Sequence, residues 1–384
     1  MNKIIYLDSA ASTKVDERVL KAMLPYFSKE YANASSKHEA GQRVRDAVES
    51  SREIIAKKIN AKSNELIFTS GGTESNNLAL KGLFFYNKQA KTGKNHFITT
   101  KIEHDSILET CKWLEEQGAE ITYLNVDKKG FVDLKQLESS ITKKTFLVSI
   151  IHGNNEIGTV QDLEKIGKLC KEKNVLFHTD ACQSFTKNLL DVKKQNLNLT
   201  TINSHKIHGP KGIGALYIRE GIKIIPLIHG GGHEFQKRSG TENVPGIIGF
   251  AKAVEISNKK DIEKIRNLRD KLISEILKIP NTKLNGATKE NRLCNNINVS
   301  FSDFESEAIM AYLEKYKIYV SVGSACQSHL NKSSHVLKAI ELKENEMNGV
   351  IRVSISKYTT KKEINYFLEK IKKIIYKLKK INLY

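Results

Sequence analysis

The stretch Thr201-Ile-Asn-Ser-His-Lys206-Ile-His-Gly-Pro-Lys-Gly212 joins a strand-like run to a Gly/Pro turn and carries a lysine at the junction. A lysine in this position is well placed to form a Schiff base with an aldehyde cofactor. Alone this interpretation is weak, because the chain has 62 Lys and Arg residues and most lysines are solvated surface charges. A second feature is needed to support it.

That feature is Val175-Leu-Phe-His-Thr-Asp180, which predicts a short buried strand with an acid at its carboxyl end. In open α/β sheets, ligands bind at the carboxyl ends of strands. Asp180 could hold a pyridinium nitrogen protonated there, and that charge makes pyridoxal phosphate (PLP) an electron sink. Without Lys206, a helix cap would be the preferred interpretation of Asp180. Together the two residues favour a PLP site.

A phosphate cradle is indicated where Leu66-Ile-Phe-Thr runs into Ser70-Gly-Gly-Thr-Glu-Ser75 and then a helical pattern. Backbone N–H groups and the positive end of the helix would face an anion, and Thr73 adds a hydroxyl. For this triplet alone, an ordinary capped turn between strand and helix is an equal alternative.

These segments together resemble the cysteine desulfurases, a group of class V, fold-type I PLP enzymes, over nearly the whole chain. The resemblance implies an α/β fold-type I PLP-dependent transferase, with a mostly parallel sheet, helices on both faces and a smaller α+β C-terminal domain. The further motifs that carry it are Tyr6-Leu-Asp-Ser-Ala-Ala-Ser-Thr13, Asn33-Ala-Ser-Ser-Lys-His38, Glu103-His104, Asn154-Asn-Glu-Ile-Gly158, Asp180-Ala-Cys-Gln183, Gly230-Gly-Gly-His-Glu234, Arg238-Ser-Gly-Thr-Glu-Asn243, Gly323-Ser-Ala-Cys326 and Ile351-Arg-Val-Ser354.

The resemblance implies three catalytic residues. Lys206 would be the Schiff-base lysine and the base that moves protons at the substrate α-carbon. His104 would lie over the pyridine ring, although a helix-cap histidine is the alternative. Cys326, in a stretch of small and polar residues typical of an exposed loop, would attack the sulfur of PLP-bound cysteine as a thiolate.

The resemblance also assigns the binding residues. Arg352 would bind the substrate carboxylate, beside Asn155. Thr241 would reach the phosphate of the neighbouring subunit, which implies a homodimer. Asn203 stands where serine is usual, so phosphate binding with altered geometry is expected. The remaining cofactor contacts would be Gly72, Thr73, His104, Asn155, Asp180, Gln183, Ser204, His205 and Lys206.

The implied reaction converts L-cysteine to L-alanine and leaves a persulfide on Cys326. The sulfur would pass to an iron–sulfur scaffold protein or a tRNA or cofactor thiolation enzyme, and Cys326 could transiently ligate an iron–sulfur cluster with such a scaffold. Selenocysteine lyase or another class V aminotransferase-like activity stays open as an alternative. A basic scaffold protein with a vestigial site is disfavoured, because the Lys206, Asp180 and His104 set is complete.

The organisation agrees with this fold class. Strands and helices alternate from about Ser63 to Arg219, and a long helical pattern runs from near Ile247 past Ile279. We expect an N-terminal segment (1–15) that packs with the small domain, a large PLP-binding domain (16–250) and a small C-terminal domain (251–384) with the Cys326 loop.

The composition bears on metal sites, cellular location and nucleic-acid binding. No Cys-x-x-Cys pair occurs among the five cysteines, so no zinc site is indicated, and the odd count fits a reducing cytosol. No apolar signal region or membrane span is evident, so we expect a cytoplasmic protein. The net charge is +19 and the pI about 9.4, yet the dispersed lysines do not indicate direct nucleic-acid binding.

Overall fold

Strands and helices alternate through the computed structural model, which describes residues 4–322 and 334–381. Its strands are β1 (Ile5–Tyr6), β2 (Leu66–Thr69), β3 (His96–Thr100), β4 (Glu120–Leu124), β5 (Thr145–Ser149), β6 (Leu176–Asp180), β7 (Leu199–Asn203), β8 (Gly214–Ile218), β9 (Thr282–Leu284), β10 (Asn296–Phe301), β11 (Ile318–Tyr319), β12 (Ser321–Val322) and β13 (Val350–Ser354). Its helices are α1 (Glu17–Met23), α2 (Pro25–Ser28), α3 (Glu39–Lys58), α4 (Gly72–Gln89), α5 (Asp105–Glu116), α6 (Leu134–Ser140), α7 (Leu163–Glu172), α8 (His233–Gln236), α9 (Val244–Glu255), α10 (Lys259–Ile276), α11 (Ser306–Lys315), α12 (His335–Ala339), α13 (Glu344–Met347) and α14 (Lys361–Ile381).

The largest sheet has seven strands in the order β2-β8-β7-β6-β5-β3-β4. The strands from β7 to β4 pair in parallel, whereas β8 runs antiparallel to both of its neighbours. Alternate residues of β5 enter different cores, with Val148 among α3, α7 and α9 and Leu147 among α4 and α5. Because both faces of the sheet are covered, most of its strands are buried on both sides. The predicted mostly parallel sheet with helices on both faces is confirmed.

Parallel pairing of β6 with β7 places the two decisive strand ends side by side. Asp180, the last residue of β6, is in register with Thr201 of β7. Lys206 follows the end of β7 by three residues. The two residues that favoured a PLP site in the sequence therefore leave the sheet at the same edge.

A second sheet, in the order β12-β13-β10-β9, is antiparallel and packs with α10, α11 and α14 around a separate core. The N-terminal strand β1 pairs with β11, next to this core. The prediction of one long helix from near Ile247 past Ile279 is wrong. The chain forms α9 and α10 instead, because Asn258 caps a new helix by accepting a hydrogen bond from the Asp261 N–H.

A buried ion pair fastens α3 and β2 to the segment around α8. The Arg52 guanidinium donates to both carboxylate oxygens of Glu234, at 2.6 and 3.0 Å, and each side chain is only 4% exposed. Glu234 also accepts the Phe68 N–H at 2.8 Å. Glu234→Ala should lower the free energy of unfolding by about 3–5 kcal/mol, because it leaves a buried guanidinium without its main partner.

Urea denaturation of the variant and the parent protein measures this loss. Glu220→Ala is the matched control, since the Glu220 pair with Lys62 is more than half exposed on both sides and should contribute little. Equal losses in the two variants would contradict the role given to the buried pair.

Candidate active site

A cavity of about 370 Å³ lies at the carboxyl ends of β6 and β7, between the large sheet and β13. Its size suits a small cofactor with a substrate. Most of the predicted site residues line it together: Gly72, Thr73, His104, Asn155, Asp180, Gln183, Asn203, His205, Lys206 and Arg352.

Among the described residues, two predicted site residues do not line this cavity. Ser204 is fully buried, and a Cβ built at Gly209 would meet its Oγ at 1.9 Å, so this hydroxyl faces the Gly209 backbone. Thr241 is exposed and lies away from the cavity. Cys326 lies outside the described residues.

Lys206 is held by the N-terminal segment of the chain. Its ammonium donates to the Ala11 carbonyl at 2.7 Å and to the Ala10 carbonyl. Burial, and next the positive charge of Arg352, lowers the pKa of Lys206 to about 8. A substantial neutral fraction of this amine therefore exists near neutral pH, as a Schiff-base lysine needs.

Asp180 has both carboxylate oxygens engaged. The Cys182 N–H donates to Oδ1 at 2.9 Å and the Asn76 side-chain amide donates to Oδ2 at 2.8 Å. The residue is buried yet lines the cavity. Its orientation is therefore fixed before any ligand arrives.

His104 is the helix-cap histidine that the sequence gave as one alternative, and it also lies at the cavity. It is the N-cap of α5, and its Nδ1 accepts the Ser106 N–H at 3.1 Å. The ring also lines the cavity. Capping thus holds the imidazole at the edge of the cavity.

The first turn of α4 supplies Gly72 and Thr73 to the cavity. A Cβ at Gly72 would lie 2.7 Å from the Cys182 Sγ, so a larger residue would force the Cys182 side chain to shift. Glycine therefore lets this helix start pack closely against the loop after β6. The first N–H groups of a helix have no partner within it and can bind an anion.

Arg352 of β13 reaches the cavity from the second sheet. Its guanidinium donates to the Asp8 carboxylate at 2.9 Å and to the Asn155 carbonyl at 3.1 Å. The side chain is 3% exposed. These contacts aim a planar, permanently charged donor at the cavity, which suits a carboxylate.

Several lining residues escaped the sequence analysis as site residues. Glu103 and Glu156 belong to quoted motifs, so their motif positions were the available signal, whereas Ser106 and His335 gave none. Burial raises the pKa of Glu103 to about 8, and the Thr100 hydroxyl and Ile151 N–H donate to its Oε1. This carboxyl is largely protonated at neutral pH.

The lining fits PLP on the chemistry of its donors. Four buried atoms of lining residues lack a hydrogen-bond partner within residues 4–322 and 334–381: Glu103 Oε2, Asn155 Oδ1, Asn203 Oδ1 and Arg352 Nε. Unmatched buried polar atoms are costly unless a ligand completes them. An anion site, a fixed carboxylate and a lysine of low pKa are the groups that a phosphate, a pyridine nitrogen and an aldehyde require.

No helix in the part of the chain that the structure describes is long and apolar enough to cross a membrane.

The chain is similar to known proteins along its whole length. The aminotransferase class-V family model matches residues 5–367. A cysteine desulfurase IscS from Dictyoglomus turgidum is 47% identical over 388 residues, covering 100% of this chain and 98% of that protein. A cysteine desulfurase IscS from Methanosarcina thermophila is 45% identical and covers 99% of this chain and 94% of its own.

Solved structures agree with these sequence matches. A NifS-like protein superposes with a TM-score of 0.90 and 38% identity over 97% of this chain and 99% of its own. A structure titled SspA in complex with cysteine superposes with a TM-score of 0.83 and 38% identity over 93% of this chain and 100% of its own. The fold is that of the fold-type I PLP-dependent transferases, and PLP is the cofactor. The chain belongs to the class-V aminotransferase family and, within it, to the cysteine desulfurases.

Proposed function

We propose that this protein removes sulfur from L-cysteine, releases L-alanine and carries the sulfur as a persulfide on Cys326. The observation that carries the proposal is the single cavity in which Lys206, Asp180, His104 and Arg352 converge. The full-length identity to named cysteine desulfurases and a structural relative in complex with cysteine support the substrate.

The cofactor's phosphate would rest on Gly72 and Thr73 at the start of α4, with Asn203 and His205 beside them. Burial lowers the pKa of His205 to about 4, so this ring would bind in its neutral form. Asp180 would pair with the pyridine nitrogen, while Gln183 would face the ring hydroxyl. Bound PLP withdraws electrons from the substrate α-carbon.

Lys206 would bind PLP covalently and later take and return the α-proton. Its pKa of about 8 lets the amine act as a base near neutral pH. Arg352 would hold the substrate carboxylate with Asn155 beside it, which fixes the α-carbon relative to the lysine.

Sulfur transfer would use the Cys326 thiolate. The thiolate attacks the sulfur of the substrate, the S–Cβ bond breaks, an S–S bond forms and Cβ takes up a proton, so cysteine and thiol become alanine and persulfide. The residues that flank 323–333 support this role. Ser321 of β12 pairs with Arg352, and His335 lines the cavity.

We also propose a homodimer in which Thr241 contacts the neighbouring subunit's phosphate. Thr241 is exposed outside its own cavity, which agrees with a role across an interface. Large apolar side chains on α1 and α2 are exposed in the single chain, including Leu20 at 48% and Phe27 at 62%. Their burial against a second copy would remove this apolar surface from water.

The acceptor of the sulfur would be an iron–sulfur scaffold protein or a tRNA or cofactor thiolation enzyme in the cytoplasm. Any cluster ligation by Cys326 would occur transiently with such a scaffold. We propose the division into an N-terminal segment (1–15), a large domain (16–250) and a small domain (251–384), which the two separate sheets and the β1–β11 pairing support.

Lys206→Ala should abolish covalent PLP attachment and reduce turnover by at least about a thousandfold, because the variant lacks both the amine that binds the aldehyde and the base. Visible absorption before and after L-cysteine, with alanine quantified, measures both losses. Lys211→Ala, an exposed lysine outside the cavity, is the control. Normal turnover in Lys206→Ala would rule out this role.

The rate of PLP attachment to the apoprotein should rise with pH up to about 8 and then level off. Only the neutral amine attacks the aldehyde, and the pKa of Lys206 is lowered to about 8. Stopped-flow absorbance between pH 6 and 10 follows the reaction. A rate that keeps rising to pH 10 would indicate an ordinary lysine and contradict this environment.

Cys326→Ser should bind PLP and L-cysteine normally yet lose roughly a hundredfold or more of its sulfide release in the presence of a reductant, because a serine hydroxyl cannot accept sulfur. Cys170→Ser is the control: Cys170 is buried in α7 away from the cavity, and burial raises its thiol pKa to about 12. Sulfide release at the parent rate by Cys326→Ser would sink the persulfide assignment.

A further inference from the structure

We propose that Asn76 and Ser106 are positioning residues that hold His104 in the tautomer with its hydrogen on Nε2, through a hydrogen-bond chain that starts at Asp180. This inference rests on the proposed function for the meaning of His104 and Asp180. The chain itself is visible in the contacts of four side chains.

Asn76 begins the chain from the second turn of α4. This fully buried side chain donates through Nδ2 to Asp180 Oδ2 and to Ser106 Oγ, both at 2.8 Å. Carboxylate oxygens accept hydrogen bonds, so the amide nitrogen rather than the amide oxygen faces Asp180. Its second hydrogen therefore goes to Ser106.

Ser106 links Asn76 to the imidazole of His104. Because its Oγ accepts from Asn76, its own hydrogen is available to His104 Nδ1, which lies 2.9 Å away. The Ser106 backbone N–H also points at Nδ1, at 3.1 Å. A backbone N–H can only donate, so it acts with the hydroxyl to favour a lone pair on Nδ1, and removing the hydroxyl weakens that preference. The neutral ring then carries its hydrogen on Nε2.

This arrangement has a chemical consequence. With Nδ1 occupied as an acceptor, Nε2 is the ring nitrogen through which His104 can give and regain a proton. The partner of one ring nitrogen fixes the tautomer and orientation of the other, as at metal-bound histidines. The same chain ties the imidazole to the carboxylate proposed to face the pyridine nitrogen.

The chain has a cost in stability that supports a role in function. Asn76 Oδ1 is buried and has no hydrogen-bond partner in the part of the chain that the structure describes. An apolar residue of similar size would avoid this desolvation cost, which amounts to roughly 1–3 kcal/mol for a buried unpaired group. Unlike an apolar residue, asparagine provides an amide group that donates to both Asp180 and Ser106.

The test compares parent protein, Ser106→Ala, Ser106→Thr and Asn76→Leu. Long-range proton–nitrogen NMR of histidine-labelled full-length protein, as apoprotein and holoprotein, reports the tautomer of His104, assigned by its loss in His104→Gln. The parent ring should be protonated at Nε2 alone, and Ser106→Ala should populate the other tautomer measurably. Ser257→Ala is the control, because Ser257 is a half-buried serine just after α9 whose hydroxyl donates to the Ala253 carbonyl.

Two measurements on the holoprotein, the turnover kinetics and the visible absorption of bound PLP, distinguish the role of Ser106 from that of Asn76. Ser106→Ala should lower kcat about 10- to 100-fold with KM changed less than about twofold, and Ser106→Thr should restore most of it. Asn76→Leu should also shift the visible absorption of bound PLP, because Asp180 loses a donor, while Ser106→Ala should leave that absorption unchanged.

A parent His104 protonated at Nδ1, or a Ser106→Ala protein with the parent tautomer and kcat, would overturn the proposal. Misfolding of Asn76→Leu would leave the Ser106 variants to decide. A parent holoprotein that shows the Nε2 tautomer but forms no alanine from L-cysteine would contradict the proposed function instead.

Discussion

The hydrogen bonds from one lysine to two backbone carbonyls connect the large sheet to the N-terminal segment. Lys206 leaves the large sheet after β7, and its amine donates to the Ala10 and Ala11 carbonyls of the N-terminal segment. That segment is anchored on the second sheet, where the Ser9 N–H donates to the Ser354 carbonyl and the Ala10 N–H to its hydroxyl. The reactive lysine thus touches a segment that is part of the other sheet's hydrogen bonding.

The substrate side depends on the same junction. Arg352 lies two residues before Ser354 on β13 and is held by Asp8 of the N-terminal segment and by the Asn155 carbonyl. A charged side chain that is almost fully buried needs such partners, since an unpaired buried charge costs several kcal/mol. Any shift of the second sheet against the first would therefore change the distance between Arg352 and Lys206 and hence the fit of an amino-acid substrate.

Helix α4 organises the cofactor side. Its first turn offers N–H groups to an anion, and one turn later Asn76 contacts Asp180 and Ser106. One helix therefore connects the proposed phosphate site to Asp180 and, through Ser106, to the His104 imidazole. Preorganisation of this kind spares the reaction the cost of ordering the groups at each turnover.

The sequence by itself determined the fold class and most of the cavity. Strand runs that end in Asp180 and Lys206, a Gly-Gly-Thr turn and an ordered series of motifs specify chemistry locally, because each depends on a residue type at the end of a predicted strand or helix. The split between α9 and α10 was missed, since the apolar spacing continues across it and only the Asn258 cap ends the pattern.

Only the tertiary structure decided what each polar group faces. It turned Ser204 away from the cavity, placed Ala10 and Ala11 on Lys206, and joined Asn76 to Ser106 across 30 residues. These pairings depend on which strands lie side by side and on the direction of each side chain. Sequence spacing fixes a residue's place along its own element, whereas burial and hydrogen-bond partners arise between elements that are distant in the chain.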